Sequence, residues 1–271
     1  IDNNVGLAVF GTNSEANSMS TREKLRLLDA LAESGLPTER MMPGTGACAL
    51  DDSVELTKRA VELGCGGVLM LPPFYYKGVP EEGLYRNFSE IIQRVGDDRL
   101  RIYLYHIPPV AQVGIPLGLI ERLLKDDPGI VAGAKDSSGD WSNTKAMIDN
   151  FAAQGFDVYP GSESFLLQAM RAGGAGCISA TANVNPGPIA KLAATWQGDD
   201  ADAQQEGLNV TRGIFQTYVM IPALKAAIAH YGRDPEWNRL RPPLVELTAD
   251  EQKDLVAKLD ASGFTMPGLA A

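Results

Sequence analysis

One lysine in the sequence stands where an amine could attack a carbonyl compound. Lys135 follows a run of small and apolar residues, Val131–Ala134. Burial in such a setting disfavours the charged ammonium and leaves a free amine, which is the nucleophilic form. A structural lysine paired with Asp136 or another carboxylate explains the same position equally well, so composition alone leaves both interpretations open.

A tyrosine and a turn supply groups that could work with this amine. Tyr105 ends the β-type run Ile102–Tyr105, and its phenol could relay protons to a carbinolamine or a leaving hydroxyl. A packed aromatic with a satisfied hydroxyl group is the commoner role for such a residue. Thr12 and Asn13 follow Gly11 in a turn whose backbone N–H groups and hydroxyl could hold a carboxylate, although turns are rich in these residues in any case.

The histidines and cysteines argue against metal and disulfide chemistry. The two histidines, His106 and His230, show neither HxH nor HExxH spacing, which predicts that there is no metal site. The three cysteines, Cys48, Cys65 and Cys177, form no CxxC pair and are too few for a disulfide framework, so reduced thiols are expected. His106 directly follows the strand-end tyrosine and should point away from it, into a structural role.

Composition narrows the class of protein. The chain has 271 residues, of which 45% are hydrophobic and 21% charged, and these values are typical of a folded globular protein. A net charge of −10 argues against nucleic-acid or anionic-membrane partners, which need clustered Lys and Arg. The sequence contains no apolar run of eighteen residues and no basic-then-apolar leader, which predicts a cytoplasmic protein.

Short apolar runs alternate with amphipathic stretches over the first two thirds of the chain. Runs spaced about 20–35 residues apart, each separated from the next by a helical pattern, predict right-handed βαβ units and a parallel sheet. The predicted strands are Gly6–Phe10, Arg40–Pro43, Gly67–Leu71, Arg101–Tyr105, Ile130–Ala134, Asp157–Tyr159 and Gly176–Ser179. Seven strands favour a (β/α)8 TIM barrel whose first strand–helix unit lies upstream of this sequence or is absent from it. An open doubly wound sheet is the alternative, but its GxGxxG and GxxxxGK[ST] signatures are missing.

The pattern changes near the end of the predicted barrel. Gly187–Trp196, Ala201–Tyr231 and Thr248–Ser262 are expected to be helices with no strands between them. We therefore expect residues 1–186 to form the barrel, which is the catalytic region. Residues 187–271 are expected to form a C-terminal helical extension packed on it.

The segments that follow the predicted strands resemble the N-acetylneuraminate lyase/dihydrodipicolinate synthase superfamily of class I, Schiff-base aldolases. The resemblance covers nearly the whole chain, from residue 6 to about residue 244. Its most specific part is Lys-Asp-Ser-Ser-Gly-Asp at 135–140 with Tyr-x-x-Pro at 105–108 one strand earlier. The other matching segments are Gly11–Glu15, Pro73–Tyr76, Gly161–Glu163 and Ile178–Asn183.

The resemblance implies catalytic roles for three of the residues already considered. Lys135 would form an imine with the ketone carbon of pyruvate or another 2-oxo acid, and this covalent imine would replace any cofactor. Tyr105 would shuttle protons. Thr12 would link Tyr105 to the substrate carboxylate, which the turn at Thr12 and Asn13 would bind through backbone N–H groups.

The resemblance also adds residues that composition does not single out. Tyr76 matches an aromatic residue that family tetramers insert into a neighbouring subunit's site, so a homotetramer is expected. Ile178 would line the pocket for the pyruvate methyl group. Gly161 and Glu163 would face the variable end of the substrate, and Ser137 is a further substrate-binding candidate within the lysine motif.

One departure bears on the reaction. Dihydrodipicolinate synthases of the superfamily place an arginine five residues after the catalytic tyrosine, and this chain has Val110 there. Valine cannot make a bidentate ionic contact with a carboxylate. In addition, Asn13 and Ser14 replace the usual Thr-Gly of the turn, a pattern closer to the 2-oxo-acid aldolases.

The leading hypothesis is therefore a pyruvate-dependent class I aldolase or lyase acting on a 2-keto-3-deoxy sugar acid or a 4-hydroxy-2-oxo acid. A dehydratase or deaminase that uses the same imine is the first alternative. A 4-hydroxy-tetrahydrodipicolinate synthase is the next. A barrel that only binds a 2-oxo acid is the non-enzymatic alternative, and it does not require Lys135, Tyr105 and Thr12 together.

Overall fold

Helices and parallel strands alternate along the chain, in a computed structural model that describes residues 1–269. Four strands form one parallel sheet in the order β1-β2-β3-β4. The elements, in chain order, are α1 (Thr21–Glu33), α2 (Leu50–Glu62), β1 (Val68–Met70), α3 (Glu81–Val95), β2 (Ile102–His106), α4 (Pro108–Ala111), α5 (Leu117–Asp126), β3 (Val131–Asp136), α6 (Trp141–Phe151), β4 (Asp157–Pro160), α7 (Leu166–Ala172), α8 (Pro186–Thr195), α9 (Ala201–Gln216), α10 (Met220–Tyr231) and α11 (Ala249–Ala261).

The helices form where sequence and burial agree. Helix α1 begins with a capping box, in which Ser20 and Glu23 satisfy each other's backbone N–H groups. Helix α3 ends at Gly96, which adopts the left-handed conformation that favours glycine. The helices turn their apolar sides to the sheet, whose strands contribute Met70, Leu104 and other fully buried side chains to the main core. Burial on both faces is the usual setting of a parallel sheet.

Three of the seven predicted strands are not regular strands. Segments 7–9, 41–44 and 175–178 run parallel to their neighbours but make only scattered ladder bonds. Met42 N donates to Leu7 O at 2.8 Å, and Ile178 N donates to Pro160 O at 3.1 Å. Segments 7–9 and 175–178 lie at the two ends of the row and pair on one side only, while Pro43 has no N–H to donate in the middle segment.

The row of seven parallel segments does not close by hydrogen bonds. Within residues 1–269 no backbone hydrogen bond joins segment 175–178 to segment 7–9. A cleft of about 550 Å³ lies between these two edges, lined by Leu7 and Val9 on one side and Cys177 and Ile178 on the other. The cleft reaches inward as far as Lys135.

The C-terminal region is helical, as expected, but one predicted helix is wrong. The stretch predicted as a single helix, Ala201–Tyr231, is two helices, α9 and α10, separated by residues 217–219. Pro222 lies in the first turn of α10, where its missing N–H costs nothing, whereas in a continuous helix it would remove an internal hydrogen bond. Phe215, Leu224 and Leu255 form a second apolar core between α9, α10 and α11.

The carboxylate of Asp136 fixes the turn that follows β3. It is only 3% exposed and accepts hydrogen bonds from Ser138 N at 2.9 Å, Asn143 Nδ2 at 3.0 Å and Thr144 Oγ1 at 2.6 Å. These bonds tie the end of the strand to the start of α6.

Asp136→Ala should lower the free energy of unfolding by about 2–4 kcal/mol, because it leaves three donors without their shared acceptor. Denaturant-induced unfolding followed by circular dichroism measures this. Asp149→Ala is the matched control, since it removes an exposed ion pair with Lys145 on α6 and should cost about 0.5 kcal/mol or less. Equal losses in the two variants would contradict the role given to Asp136.

Candidate active site

Lys135 and Tyr105 lie side by side on neighbouring strands. They are register partners in the pairing of β2 with β3, and side chains at paired positions of parallel strands project to the same face. The Lys135 Nζ atom lies 4.3 Å from the centroid of the Tyr105 ring. Both residues are buried, at 6% and 3% exposure. The amine is therefore held against the phenol in a shielded interior.

The turn that follows Gly11 contacts the Tyr105 hydroxyl. Thr12 Oγ1 and Tyr105 Oη are 3.1 Å apart and share a hydrogen bond. The turn is a short 3-10 helix, Thr12–Ser14, whose first internal bond is donated by Ser14 N to Gly11 O at 3.0 Å. The N–H groups of Thr12 and Asn13 precede that bond and remain available. Thr12, Asn13 and Lys135 line the same cleft.

Asp136 is not the partner of Lys135. Its carboxylate is occupied by the turn and helix α6, as described above, and no carboxylate of residues 1–269 lies within ion-pair distance of Lys135. The interpretation of Lys135 as one half of a structural ion pair is therefore wrong. His106, the next residue after Tyr105, is buried and accepts a hydrogen bond from Ile115 N through Nδ1 at 2.9 Å. Burial lowers the pKa of His106, with a smaller opposing effect of Asp136.

Ser137 and Gly161 touch at the rim of the sheet, where β3 and β4 end. A Cβ added to Gly161 would lie 2.0 Å from the Ser137 Oγ, so only glycine fits there. Ser137 N donates to His106 O at 2.7 Å, and Gly161 N donates to Asp136 O at 2.6 Å. Both residues are thus fixed at the carboxyl ends of the strands, which is the edge where barrel enzymes carry their active sites.

Glu163 is fully buried and held by its neighbours. Its two carboxylate oxygens accept hydrogen bonds from the hydroxyls of Ser179 and Thr181, and Arg212 Nη1 lies 3.5 Å from Oε2. The Glu163 carboxylate is therefore a structural group of the interior beside the cleft. Ser179, which donates to Glu163, itself lines the cleft, as do Ile178 and Lys135.

Tyr76 and Val110 lie on the surface of the protomer. Tyr76 is 73% exposed and stacks edge-on against Tyr75 with ring centroids 5.3 Å apart. It lines neither cavity that contains Lys135 or Tyr105. Val110, on the short helix α4 that follows the strand of Tyr105, is 61% exposed.

The sequence analysis assigns no role in the site to three residues that line its cavities. Tyr159 is the register partner of Lys135 on β4 and lines the same cleft, and burial raises its pKa to about 12. Burial also raises the pKa of the nearby Cys177 thiol to about 12, so this cysteine is not a competing nucleophile at neutral pH. Lys24 on α1 is 7% exposed and faces a small cavity beside Thr12. Once the strand register is known, the alternation of side chains along β4 shows that Tyr159 faces the same side as Lys135. The apolar spacing of α1 gives no sign that Lys24 is buried.

The family follows from comparison with known proteins. The model of the dihydrodipicolinate synthetase family matches residues 2–262. The chain belongs to this family. Its members include lyases and synthases that act on pyruvate through a Schiff base, and the protein is an enzyme of this class. Its seven parallel segments follow the (β/α)8-barrel fold of the family, as the sequence predicted, with the row open between segments 175–178 and 7–9.

Individual members of the family are similar over most of their length. An uncharacterized DapA-like lyase of Chloroflexus aurantiacus is 35% identical over 91% of this chain and 81% of its own. A 4-hydroxy-tetrahydrodipicolinate synthase of Methanococcoides burtonii is 32% identical over 95% of this chain and 86% of its own. The crystal structure of dihydrodipicolinate synthase from Agrobacterium tumefaciens superposes with a TM-score of 0.86 at 28% identity, covering 94% of this chain and 86% of that one.

Two features are absent from the described part of the chain. Residues 1–269 contain no cluster of three or more His, Cys, Asp or Glu side chains arranged to hold a metal ion. In the same range, none of the helices has the length and apolar character needed to span a membrane. All the site residues proposed from the sequence fall within this range.

Proposed function

We propose that this family member is a class I aldolase that cleaves or forms a 2-oxo acid with pyruvate as one partner. A 2-keto-3-deoxy sugar acid and a 4-hydroxy-2-oxo acid are the substrate types we favour. The observation that carries the proposal is the Lys135 Nζ lying 4.3 Å from the Tyr105 ring, with the Tyr105 hydroxyl bonded to Thr12. A buried amine, a buried phenol and a half-buried second hydroxyl thus lie next to one another.

Lys135 supplies the nucleophile. Its free amine attacks the C2 ketone carbon of the substrate, and the resulting carbinolamine loses water to give an iminium ion. When the C3–C4 bond breaks, its electrons move into the iminium and form an enamine, while the C4 hydroxyl loses a proton and becomes an aldehyde. Protonation of the enamine at C3 and hydrolysis release pyruvate and restore Lys135. Because the iminium is the electron sink, no separate cofactor is required.

Tyr105 and Thr12 move the protons. The Tyr105 hydroxyl can give a proton to the carbinolamine oxygen as water leaves and can accept the proton of the C4 hydroxyl. Thr12 donates to or accepts from Tyr105, which keeps the phenol oriented. The N–H groups of Thr12 and Asn13, which line the same cleft as the amine, would bind the substrate carboxylate.

The variable end of the substrate would lie at the rim formed by Ser137 and Gly161. Ile178 would accommodate the methyl group of pyruvate. The Glu163 carboxylate would act through Ser179 rather than directly, since both of its oxygens are already bonded. Val110 has no positive charge to bind a second carboxylate. This favours a neutral aldehyde as the second substrate over aspartate semialdehyde, the carboxylate-bearing substrate of the synthases.

The assembly we propose is a homotetramer. Tyr75, Tyr76 and Val110 are exposed, and a hydrogen bond from Lys77 Nζ to Ala111 O at 2.8 Å joins their two segments into one surface patch. Contact of this patch with a second copy would bring an aromatic ring to a neighbouring site. Light scattering of the purified protein should give about four times the 29.0 kDa chain mass, and a monomer at micromolar concentration would contradict the assembly.

Release of pyruvate is the test of the proposed reaction. The enzyme is incubated with a 2-keto-3-deoxy sugar acid or a 4-hydroxy-2-oxo acid, and pyruvate and aldehyde are measured together. Equal amounts of the two products support cleavage. Loss of water without pyruvate would show a dehydratase instead. Turnover only of pyruvate with aspartate semialdehyde would show a synthase.

A further inference from the structure

Glu15 joins the carboxylate-binding turn to the C-terminal extension. Its Oε1 accepts a hydrogen bond from Lys225 Nζ at 2.7 Å, and its Oε2 accepts one from the backbone N–H of Arg241 at 2.9 Å. Lys225 lies on α10, 210 positions away in sequence. The side chains of the ion pair are only 13% and 20% exposed, so solvent screens the contact weakly.

The backbone at Glu15 is also unusual. Glu15 adopts φ = 53°, in the left-handed region that non-glycine residues rarely occupy, and it ends the 3-10 turn Thr12–Ser14. Phe10, on the other side of the turn, has φ = 58°. Two residues in this disfavoured conformation persist only where surrounding contacts hold them. For Glu15 those contacts come from the extension.

The same part of the extension also forms hydrogen bonds with the residues that follow the turn. The Arg241 guanidinium donates to Ser18 O at 3.2 Å and to Glu23 at 2.8 Å. Lys225 also donates to the carbonyl of Arg239. Burial opposes ionisation of Glu15, but the bonds from Arg241 and Lys225 outweigh it and hold the pKa of this carboxyl below its ordinary value.

We infer that Glu15 is a positioning residue, through which the C-terminal extension sets the turn that binds the 2-oxo acid carboxylate. The inference rests on the proposed function, because it assigns the N–H groups of Thr12 and Asn13 to that carboxylate. Glu15 itself does not reach the reacting atoms. It fixes the end of the turn, while the Thr12–Tyr105 bond fixes the start.

The test compares pyruvate binding in Glu15→Gln and in the wild type. Each protein is incubated with increasing pyruvate and borohydride, and the adduct on the intact chain is measured by mass. Glutamine keeps the size of the side chain. Its amide N–H group, however, would face one of the two donors, Lys225 Nζ or the Arg241 backbone N–H. We expect the half-saturating pyruvate concentration to rise by about tenfold, with the adduct at saturation retained. Lys225→Met should raise the half-saturating pyruvate concentration by a smaller factor, since the hydrogen bond from Arg241 to Glu15 remains.

Asp254→Asn is the control, because it removes an exposed ion pair with Lys258 in the same extension and should leave the half-saturating concentration unchanged. Thermal unfolding of every variant separates positioning from stability. A lower unfolding temperature with wild-type half-saturation in Glu15→Gln and Lys225→Met would overturn the inference. No adduct in the wild type would instead overturn the proposed function, and the inference with it.

Discussion

Lys135→Ala should abolish both turnover and the formation of a pyruvate adduct. The side chain removed is the one that forms the covalent bond to substrate, and Cys177, the nearby thiol, stays protonated and cannot replace it. We expect a loss of at least about 10⁴-fold in kcat, as is typical when a covalent nucleophile is removed. The readout is pyruvate release together with the intact mass after borohydride treatment.

The fold should survive this substitution, because Lys135 makes no ion pair within residues 1–269. Lys135→Arg keeps a long basic side chain in the same place but cannot form an imine, and it should be equally inactive. Lys145→Ala removes an exposed lysine and should retain full activity. Activity near the wild-type level in Lys135→Ala would contradict the assignment of the nucleophile.

Tyr105→Phe should lower kcat by about 10²–10⁴-fold, the usual contribution of a general acid–base group. The change removes only the hydroxyl that bonds to Thr12, so the ring stays beside Lys135. Because proton transfer limits both formation and breakdown of the carbinolamine, the adduct should still form, but slowly. Single-turnover trapping against time measures this rate.

Tyr103→Phe is the matched control, since Tyr103 lies two residues earlier on the same strand face. Its hydroxyl bonds to Asp157 Oδ2 at 3.2 Å, away from the amine. We expect a kcat within about threefold of the wild type. Similar losses in Tyr103→Phe and Tyr105→Phe would mean that a strand tyrosine is needed for packing, which would remove Tyr105 from the proton-transfer steps.

The helices were predictable from sequence because their apolar spacing and start signals agree. The helix predicted at Thr248–Ser262 is α11, which is one residue shorter at each end and has a capping box at its start. The error at Ala201–Tyr231 came from apolar spacing that continues across a break, where Pro222 marks the start of a new helix. Segments 7–9, 41–44 and 175–178 lack regular ladders because a ladder depends on the neighbouring strands. A local apolar run contains no information about those neighbours.

The central part of the site was also predictable, because Lys135 and Tyr105 each end a β-type run and parallel strands align their carboxyl ends. What the sequence left open was the partner of Lys135, since Asp136 is adjacent in sequence but faces the opposite side of the strand. Strand alternation explains this outcome. The bonds that occupy Glu163 come from residues 16 to 49 positions away, and no local pattern encodes them.

The most direct test of the account is borohydride trapping of the wild-type protein with pyruvate, followed by a peptide map. The account predicts one pyruvate-sized adduct per chain, on Lys135. Lys24 is the informative alternative, because it is similarly buried and burial lowers its pKa, with a smaller opposing effect of Asp52. An adduct on Lys24, or none on a folded protein, would contradict the imine chemistry assigned to Lys135.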